Sequence, residues 1–209
     1  MVALQLEARG ICDPRVLAAM LEVPRHEFVD AAVIDQAYED RALPASEGQT
    51  ISQPWIVARM LELAQLAPGQ RVLEVGAGSG YQSALLARLV ARVVAIERIE
   101  ALASAARERL VRLGVCNVDL HCGDGTRGWR VESPYARVLA AAAAPHVPRE
   151  LLEQLEDGGL LVMPVGGPGL QRLETWRRGR AGYTRERHGE CRFVPLIGAG
   201  AWPEEPRRN

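Results

Sequence analysis

Residues 71–81 are Arg71-Val72-Leu73-Glu74-Val75-Gly76-Ala77-Gly78-Ser79-Gly80-Tyr81. The apolar run at the start of this stretch predicts a short buried strand. Leu85, Leu86 and Leu89 then share one face of a predicted helix. A strand, a glycine turn and a helix bring backbone N–H groups and the positive end of a helix to one point. The stretch therefore predicts a ligand site at the turn.

The spacing of the glycines and two neighbouring acids favour a cationic ligand. A dinucleotide site has the spacing Gly-x-Gly-x-x-Gly with room for a pyrophosphate, whereas Gly76, Gly78 and Gly80 alternate and follow the acid Glu74. A carboxylate there repels a pyrophosphate and suits the sulfonium and ammonium groups of S-adenosylmethionine. Glu97 ends the next apolar run, where an acid accepts hydrogen bonds from both ribose hydroxyls. Glycine turns are common, so the prediction of this cofactor depends on the acids as well.

The composition limits the classes of function. A chain of 209 residues that is 48% hydrophobic can form one domain with a real core. Its 25 basic and 26 acidic residues nearly cancel, which predicts no general attraction to nucleic acid or to a membrane surface. The four cysteines form no Cys-x-x-Cys pair, so we expect no metal site. Without a leader pattern or a membrane-length apolar run, we expect a cytoplasmic protein, and a monomer.

Alternating strand and helix patterns predict an α/β fold with a doubly wound, mostly parallel sheet, an antiparallel C-terminal edge and an N-terminal helical extension. The predicted strands are Arg71–Val75, Arg92–Ile96, Val118–His121, Val138–Ala142, Leu160–Val165, Leu170–Arg177, Tyr183–His188 and Arg192–Ile197, and the predicted helices of the core are Gly80–Leu89, Ile99–Leu113 and Pro148–Leu155. We expect a single domain in which residues 1–68 form helices and an active-site loop, 69–166 bind the cofactor, and 167–209 form antiparallel strands and a tail.

The segments outside this core carry fewer signals. A helix is predicted to begin at Pro14 with Asp13 as its cap, and a second helical stretch covers residues 29–37. Residues 42–53 show no periodicity and predict a long polar loop, a common place for function. Ser52 lies just before Pro54, where a further helix begins, and spacing alone favours a helix-capping role for it. Trp202 and the arginine-rich end predict a surface tail.

The chain resembles the protein-L-isoaspartate O-methyltransferase family along nearly all its length. The loop Thr50-Ile51-Ser52-Gln53-Pro54 is the most specific motif, because other methyltransferases share only the glycine turn and the acid. The motifs that carry the resemblance are Val23-Pro24-Arg25-His26-Glu27-Phe28-Val29, Gly48-Gln49-Thr50-Ile51-Ser52-Gln53-Pro54, Val72 to Gln82, Ile96-Glu97-Arg98, Gly123-Asp124-Gly125, Ala142-Ala143-Ala144-Pro145, Gly158-Gly159, Pro164-Val165-Gly166 and Phe193-Val194-Pro195-Leu196.

The resemblance implies a Rossmann-like methyltransferase that transfers a methyl group from S-adenosylmethionine to the free α-carboxylate of L-isoaspartyl residues. The ester then closes to a succinimide, which begins the repair of damaged or unfolded proteins and peptides. By the resemblance Ser52 is the catalytic residue, and Thr50, Ile51 and Val194 also bind the substrate. The cofactor contacts that follow from the resemblance and from the residues together are Glu74, Gly76, Gly78, Ser79, Glu97, Gly123 and Asp124. Asp124 is placed to meet an adenine amino group, and as a turn former in Gly-Asp-Gly it can do both.

The chemistry fits a site without a general base. A carboxylate with an ordinary pKa of about 4 is already ionised at neutral pH, so the acceptor needs orientation rather than deprotonation. Two alternatives stay open: a small-molecule carboxyl or hydroxyl methyltransferase, and a non-catalytic S-adenosylmethionine-binding module. In the second, Ala136 and Glu47, which depart from the family pattern, mark lost activity. A base methyltransferase is disfavoured, because Ala142-Ala143-Ala144-Pro145 has no side chain to hold an amino group.

Overall fold

A computed structural model describes residues 1–203 of the chain. Short 3₁₀ or π turns, among them Arg25–Phe28 and Ala31–Gln36, connect the longer elements. The helices are α1 (Pro14–Glu22), α2 (Pro54–Leu63), α3 (Tyr81–Leu89), α4 (Glu100–Arg112) and α5 (Arg149–Glu153), and the strands are β1 (Leu43–Pro44), β2 (Thr50–Ile51), β3 (Arg71–Val75), β4 (Arg92–Glu97), β5 (Val118–Cys122), β6 (Tyr135–Ala140), β7 (Leu155–Gly167), β8 (Leu170–Gly179) and β9 (Gly182–Cys191).

The main sheet has seven strands in the order β5-β4-β3-β6-β7-β8-β9. The pairs from β5 to β7 are parallel, whereas β7–β8 and β8–β9 are antiparallel. The predicted mostly parallel sheet with an antiparallel C-terminal edge is therefore confirmed. The chain runs outward from β3 through β4 to β5 and then returns to β6 on the other side of β3. Ligands of such sheets bind at the carboxyl ends of the strands beside this reversal.

The central strands are buried on both faces, as their continuous apolar sequences require. Val72, Leu73 and Val75 in β3 have no exposed surface, and the same holds for Val93 and Val94 in β4. Their alternating side chains enter two hydrophobic clusters, one on each side of the sheet. Apolar surface buried in this way stabilises the folded state by about 25 cal/mol per Å². The turn at residues 76–80 therefore follows directly from a stable, fully buried strand.

Several element boundaries differ from the sequence prediction. β6 begins at Tyr135 and ends at Ala140, both earlier than predicted, and the Ala141 N–H still donates to the Val75 carbonyl oxygen at 2.8 Å. The predicted helix at 148–155 shortens to α5, and β7 begins earlier than predicted and continues to Gly167. The predicted second helical stretch is a 3₁₀ segment with a kink at Val33. These differences lie where hydrogen bonds to distant segments override local propensity.

The C-terminal segment was wrongly predicted as a strand. Residues 192–197 contain only isolated bridges, from Pro195 to Ala143 and from Ile197 to Trp202. Proline lacks an N–H group and cannot complete a ladder. Trp202 is half-buried and donates its N–H to the Leu196 carbonyl oxygen at 3.0 Å, so it does not belong to a free tail. The arginine-rich end lies outside the described residues.

The N-terminal extension packs against the core through α1. Asp13 caps this helix as predicted, and accepts hydrogen bonds from the backbone N–H groups of Arg15 and Val16. The extension also contributes a fully buried arginine, Arg25, whose partners lie in two separate loops. Across residues 1–203, no helix has both the length and the apolar character needed to cross a membrane.

Candidate active site

The glycine turn after β3 is held against the end of β4 by its backbone. The N–H groups of Gly76 and Ala77 both donate to the Ile96 carbonyl oxygen, at 2.8 and 3.1 Å. Gly76, Gly78 and Gly80 have φ values of +84°, +54° and +86°, a conformation that other residues adopt only with strain. Gly80 also ends the turn close to α4, since a Cβ there would lie 3.3 Å from Ala106 Cβ. The sequence of alternating glycines is therefore required by the shape of the turn.

Glu97 joins the turn to the end of β4. Its Oε2 accepts a hydrogen bond from the Gly78 N–H at 2.9 Å, and its Oε1 accepts one from the Ile99 N–H at 3.0 Å. Only 7% of the residue is exposed, and that part lines a cavity. Each carboxylate oxygen can accept more than one hydrogen bond. Glu97 can therefore hold the turn and still receive two hydroxyl groups of a ligand.

That cavity has a volume of about 320 Å³ and lies at the carboxyl ends of the central strands. Its walls include residues 48–52, residues 76–79 of the glycine turn, the first two residues of α3, residues 96–99, Gly125, Ala141 and Ala142, and residues 194–197. Among the predicted site residues, the cavity brings together Thr50, Ile51, Ser52, Gly76, Gly78, Ser79, Glu97 and Val194. One cavity thus joins the glycine turn, the acid at the end of β4 and the serine loop.

Glu74 lies behind the turn and not in the cavity wall. It is fully buried, and its carboxylate accepts hydrogen bonds from the Ser83 hydroxyl and from Gln82 Nε2. Burial raises the pKa of Glu74 to about 7, against the opposing effect of these two hydrogen bonds. Gln82 lines the cavity and stands between the acid and any ligand. The structure therefore does not place Glu74 where the sequence predicts a direct cofactor contact, and its carboxylate instead holds the start of α3.

Asp124 and Gly123 lie beside the cavity, and only the next residue, Gly125, lines it. Asp124 Oδ1 accepts hydrogen bonds from the N–H and hydroxyl of Thr126, and Oδ2 accepts one from the Ala199 N–H at 2.9 Å. Although burial alone raises the pKa of Asp124, the bonds from Thr126 and Ala199 lower it below its ordinary value. The turn-forming interpretation fits this geometry, whereas an adenine contact would have to compete with Ala199.

The serine loop contains a small hairpin that its sequence does not reveal. β1 and β2 pair antiparallel, Leu43 with Ile51 and Pro44 with Thr50. Glu47 closes the hairpin with a φ of +58°, exposed to solvent. The N-cap of α2 is Gln53, so the capping role that spacing favours for Ser52 is wrong. Of all the hydrogen bonds formed among residues 1–203, none involves the Ser52 hydroxyl, which leaves it available to a ligand.

A second groove, of about 570 Å³, meets the cavity at Ser52. The two spaces share Thr50, Ser52, Ala141 and Val194 in their walls. The second groove adds the aromatic rings of Trp55 and Phe193, three arginines and two acids. Ser52 therefore lies at the junction of two spaces, as a residue between two substrates must. Within the described part of the chain, no group of three His, Cys, Asp or Glu side chains is arranged to hold a metal ion.

A family model described as protein-L-isoaspartate(D-aspartate) O-methyltransferase matches residues 1–201. The chain belongs to the protein-L-isoaspartate(D-aspartate) O-methyltransferase family. Proteins named protein-L-isoaspartate O-methyltransferase from Methanoregula boonei and Halorhodospira halophila are 52% and 54% identical to it. The matches cover 97% and 92% of this chain, and 93% and 88% of the two relatives.

Solved structures with the same family name agree. One superimposes with a TM-score of 0.84 at 29% identity, covering 93% of this chain and 64% of that chain. Another, from Plasmodium falciparum and in complex with S-adenosyl-L-homocysteine, has a TM-score of 0.80 at 26% identity, and covers 91% of this chain and 94% of its own. The predicted family, fold class and enzyme class are therefore confirmed, with the S-adenosylmethionine cofactor of that class. The predicted kind of substrate is confirmed too, because the family acts on isoaspartyl-containing proteins.

Sequence reasoning missed the buried residues that support the walls of this isoaspartate methyltransferase site without being predicted to bind a substrate. Arg25 and Tyr81 lie within motifs that carried the resemblance, yet periodicity assigns them no chemistry. Gln171 is buried and holds the Phe193 N–H with its Oε1 at 2.8 Å. A buried arginine or glutamine has no local signature, because its partners lie far away in the sequence.

Proposed function

We propose that this enzyme methylates the free α-carboxylate of L-isoaspartyl residues, with Ser52 orienting the acceptor and Glu97 binding the methyl donor. The observation that supports this proposal is that both residues line one cavity. S-adenosylmethionine supplies, when bound, an electrophilic methyl group on a sulfonium. Every other part of the reaction must come from how the protein places the two substrates.

The donor side of the cavity fits this cofactor. The turn at Gly76 and Gly78 has no side chains that would keep a ligand from the backbone. Glu97 is the acid at the end of β4 and would accept the two ribose hydroxyls. Gly125 leaves space beside Val75, where a Cβ would lie 2.6 Å from Val75 Cγ1, so this wall is formed without a side chain. The cavity thus combines an acid with close access to backbone.

The acceptor side fits an anionic peptide. The second groove is open to solvent, and its three arginines, Arg9, Arg41 and Arg192, outnumber its two acids, Asp40 and Glu190. A carboxylate entering along this groove reaches Ser52 at the junction with the cavity. The Ser52 hydroxyl can donate one hydrogen bond to that carboxylate. Arg9 is paired with Asp40 and Arg41 with Glu39, whereas Arg192 has no ion pair among residues 1–203. Arg192 is therefore the charge of the groove that favours the approach of an acceptor that is already ionised.

Catalysis then depends on alignment. The acceptor carboxylate has an ordinary pKa of about 4 and needs no base, which agrees with the absence of a His–Asp pair from the cavity wall over residues 1–203. Fixing the reacting atoms in line and excluding water can lower the barrier by about 7–11 kcal/mol. The walls at Thr50 to Ser52 and at Val194 would hold the acceptor, and the glycine turn and Glu97 would hold the donor. The product ester is then positioned to leave and close to a succinimide.

A matched pair of peptides tests this function. We expect transfer of labelled methyl from S-adenosylmethionine to an isoaspartyl peptide and none to the aspartyl peptide of the same sequence. The pair differs only in which carboxylate is free, so selective labelling identifies the acceptor. Equal labelling of the two peptides would contradict the specificity. Labelling of a metabolite without any peptide would favour the small-molecule methyltransferase, and cofactor binding without any turnover would favour the binding module.

We also propose that the enzyme acts as a monomer and as a single domain. All walls of the cavity come from one chain, and the N-terminal extension supplies the contact that holds the serine loop. Light scattering with and without cofactor should give the mass of one chain. A stable dimer would contradict this assignment without affecting the proposed chemistry. The cytoplasmic location stays a prediction.

A further inference from the structure

Arg25 is the largest side chain that the fold buries completely. Its Nε donates to the Ala37 carbonyl oxygen at 2.8 Å, and its Nη2 donates to the Ser52 carbonyl oxygen at 2.8 Å. Its Nη1 is buried with no hydrogen-bond partner. Within residues 1–203 no carboxylate forms an ion pair with it. Burial lowers the pKa of Arg25, although an arginine remains protonated in proteins.

Burying a cation is unfavourable, and Tyr81 and the charge of Asp40 offset only part of that cost for Arg25. An apolar side chain, however, would leave the carbonyl oxygens of Ala37 and Ser52 without this donor, so the two hydrogen bonds are a reason for an arginine at this position.

The guanidinium of Arg25 is also placed between the two substrate sides of the site. One end holds the backbone of Ser52, and its face lies 4.8 Å from the ring centroid of Tyr81. Tyr81 is the first residue of α3 and lines the cavity. Its ring packs edge-to-face against Phe28, with the two ring centroids 5.4 Å apart.

The residues after Ser52 are hydrogen-bonded to Asp40, in the same loop that Arg25 binds through Ala37. Gln53 Nε2 donates to the Asp40 carbonyl oxygen at 2.9 Å, and the Trp55 N–H donates to Asp40 Oδ1 at 3.2 Å. Together with Arg25, which also binds Ala37, these bonds hold the backbone of residues 52–55. The Ser52 hydroxyl forms no hydrogen bond among residues 1–203 and stays available to the cavity. Its position depends directly on the bond from Arg25 to its carbonyl oxygen.

We propose that Arg25 is a positioning residue for methyl transfer: it fixes the Ser52 hydroxyl relative to the donor wall by bridging the Ser52 carbonyl and the Tyr81 ring. The inference rests on the proposed role of Ser52. Arg25 touches neither substrate, so it acts on turnover through the geometry of Ser52. Misplacement of a reacting group by about 1 Å can lower a rate about 100-fold. Cofactor affinity depends instead on Glu97 and the glycine turn.

The test uses Arg25→Lys and Arg25→Met in the full chain. We expect kcat on an isoaspartyl peptide to fall about 30-fold for methionine, no more than the loss of the Ser52 hydroxyl itself would cost, and about 10-fold for lysine, which keeps the charge and can reach one carbonyl. The dissociation constant of S-adenosylhomocysteine, measured by calorimetry, should change less than about twofold because the donor wall is intact. If the methionine variant does not fold, the lysine variant alone decides. A parallel loss of cofactor affinity and turnover would overturn the proposal.

Arg137 supplies the matched control. It is also partly buried, and its Nη2 donates to the Gln65 carbonyl oxygen at 3.1 Å, far from Ser52. Arg137→Lys should lower the melting temperature as Arg25→Lys does, with kcat nearly unchanged. Equal losses of kcat in the two variants at equal stability would show a purely structural role and overturn the proposal.

A double-mutant cycle with Ser52→Ala separates this inference from the proposed function. Once the hydroxyl is removed, Arg25→Lys should lower kcat by less than about threefold, because the two residues act as one unit. An undiminished 10-fold effect would show that Arg25 does not act through Ser52. A wild-type enzyme that labels no isoaspartyl peptide would instead refute the proposed function, a result that these variants do not produce.

Discussion

The two walls of the cavity are built in different ways. The donor wall, at Gly76 to Gly80 and Glu97, is made by consecutive residues after β3 and β4, and backbone hydrogen bonds join the two segments. The acceptor wall, at residues 50–52 and 193–196, has two-residue strands and isolated bridges. Its backbone is held by side chains from distant elements, Arg25 for Ser52 and Gln171 for Phe193. The donor wall is thus specified locally, and the acceptor wall by long-range contacts.

This difference predicts how each wall responds to substitution. Changes in the donor wall should alter cofactor affinity or the stability of the core beneath it, since the turn is continuous with the buried strands. Changes in the acceptor wall should alter turnover and substrate preference while the cofactor still binds. A substitution whose effects cross from one wall to the other would break the comparison.

The largest expected effect concerns Glu74, beneath the donor wall. Burial raises its pKa from 4.5 to about 7, so the folded state binds a proton that the unfolded state has lost. Wild-type stability therefore falls as the pH rises through this window, and Glu74→Gln removes that fall. We expect the stability of the glutamine variant relative to wild type to increase by about 3 kcal/mol between pH 5 and pH 8, since a tenfold difference in proton affinity corresponds to about 1.4 kcal/mol.

Urea unfolding at several pH values measures the difference. Glu108→Gln is the control, because Glu108 is exposed on α4 and should give a difference independent of pH. If the stability difference between Glu74→Gln and wild type did not change with pH, the pKa of Glu74 in the folded enzyme would not be raised. This result would also mean that the donor wall tolerates a charge directly beneath it.

The second effect is on cofactor affinity. Glu97→Ala removes the acceptor of the Gly78 and Ile99 N–H groups and the proposed ribose contact. We expect the dissociation constant of S-adenosylhomocysteine to rise about 100-fold, because hydrogen bonds to a charged group contribute about 1.5–3 kcal/mol. Calorimetry measures it, with Glu108→Ala as the surface control. An unchanged dissociation constant would remove Glu97 from the binding site.

The third effect is on turnover. Ser52→Ala should lower kcat about 10- to 30-fold, the value of one hydrogen bond to a charged acceptor, with cofactor affinity unchanged. The hydroxyl has no partner among residues 1–203, so its loss should not change the melting temperature. Single-turnover kinetics on the isoaspartyl peptide check the first point and calorimetry checks the second. A collapse of cofactor binding with normal turnover by the bound enzyme would make Ser52 a donor-side residue.

The sequence predicted the donor wall well because its signals are local. The strand at Arg71–Val75 is confirmed as β3 at both ends, and the second strand differs by one residue. The apolar period of each strand, the glycine conformation after β3 and the acid at the end of β4 are each set by a few neighbouring residues, and patterns at that range are visible in the sequence. Even here the burial of Glu74 was missed, because it depends on how α3 packs over β3.

The acceptor wall was predicted from resemblance and hardly at all from pattern. Spacing favoured a helix cap for Ser52. The helix begins at Pro54 as predicted, but the residue directly before it, Gln53, takes the N-cap position. β1 and β2 are too short to show a period of two. The segment at 192–197 was predicted as a strand, but it forms only isolated bridges, and hydrogen bonds to Ala143 hold it on either side of Pro195. Long-range side-chain bonds decide this wall, and no local pattern encodes them.

The smallest expected effect lies at the outer edge of the acceptor side. Arg192 is exposed, lines the second groove and has no ion pair among the described residues, whereas Arg41 in the same groove is already bound to Glu39. Arg192→Gln should therefore lower kcat/KM about threefold for isoaspartyl peptides with an acidic neighbour, and much less for those with a basic neighbour, since exposed charge pairs are weak. Arg41→Gln, the matched control, should change neither peptide. The difference between the peptides should also vanish at high ionic strength, because salt screens exposed charges. An equal loss of kcat/KM for both peptides would show that Arg192 shapes the groove and does not recognise the charge of the peptide.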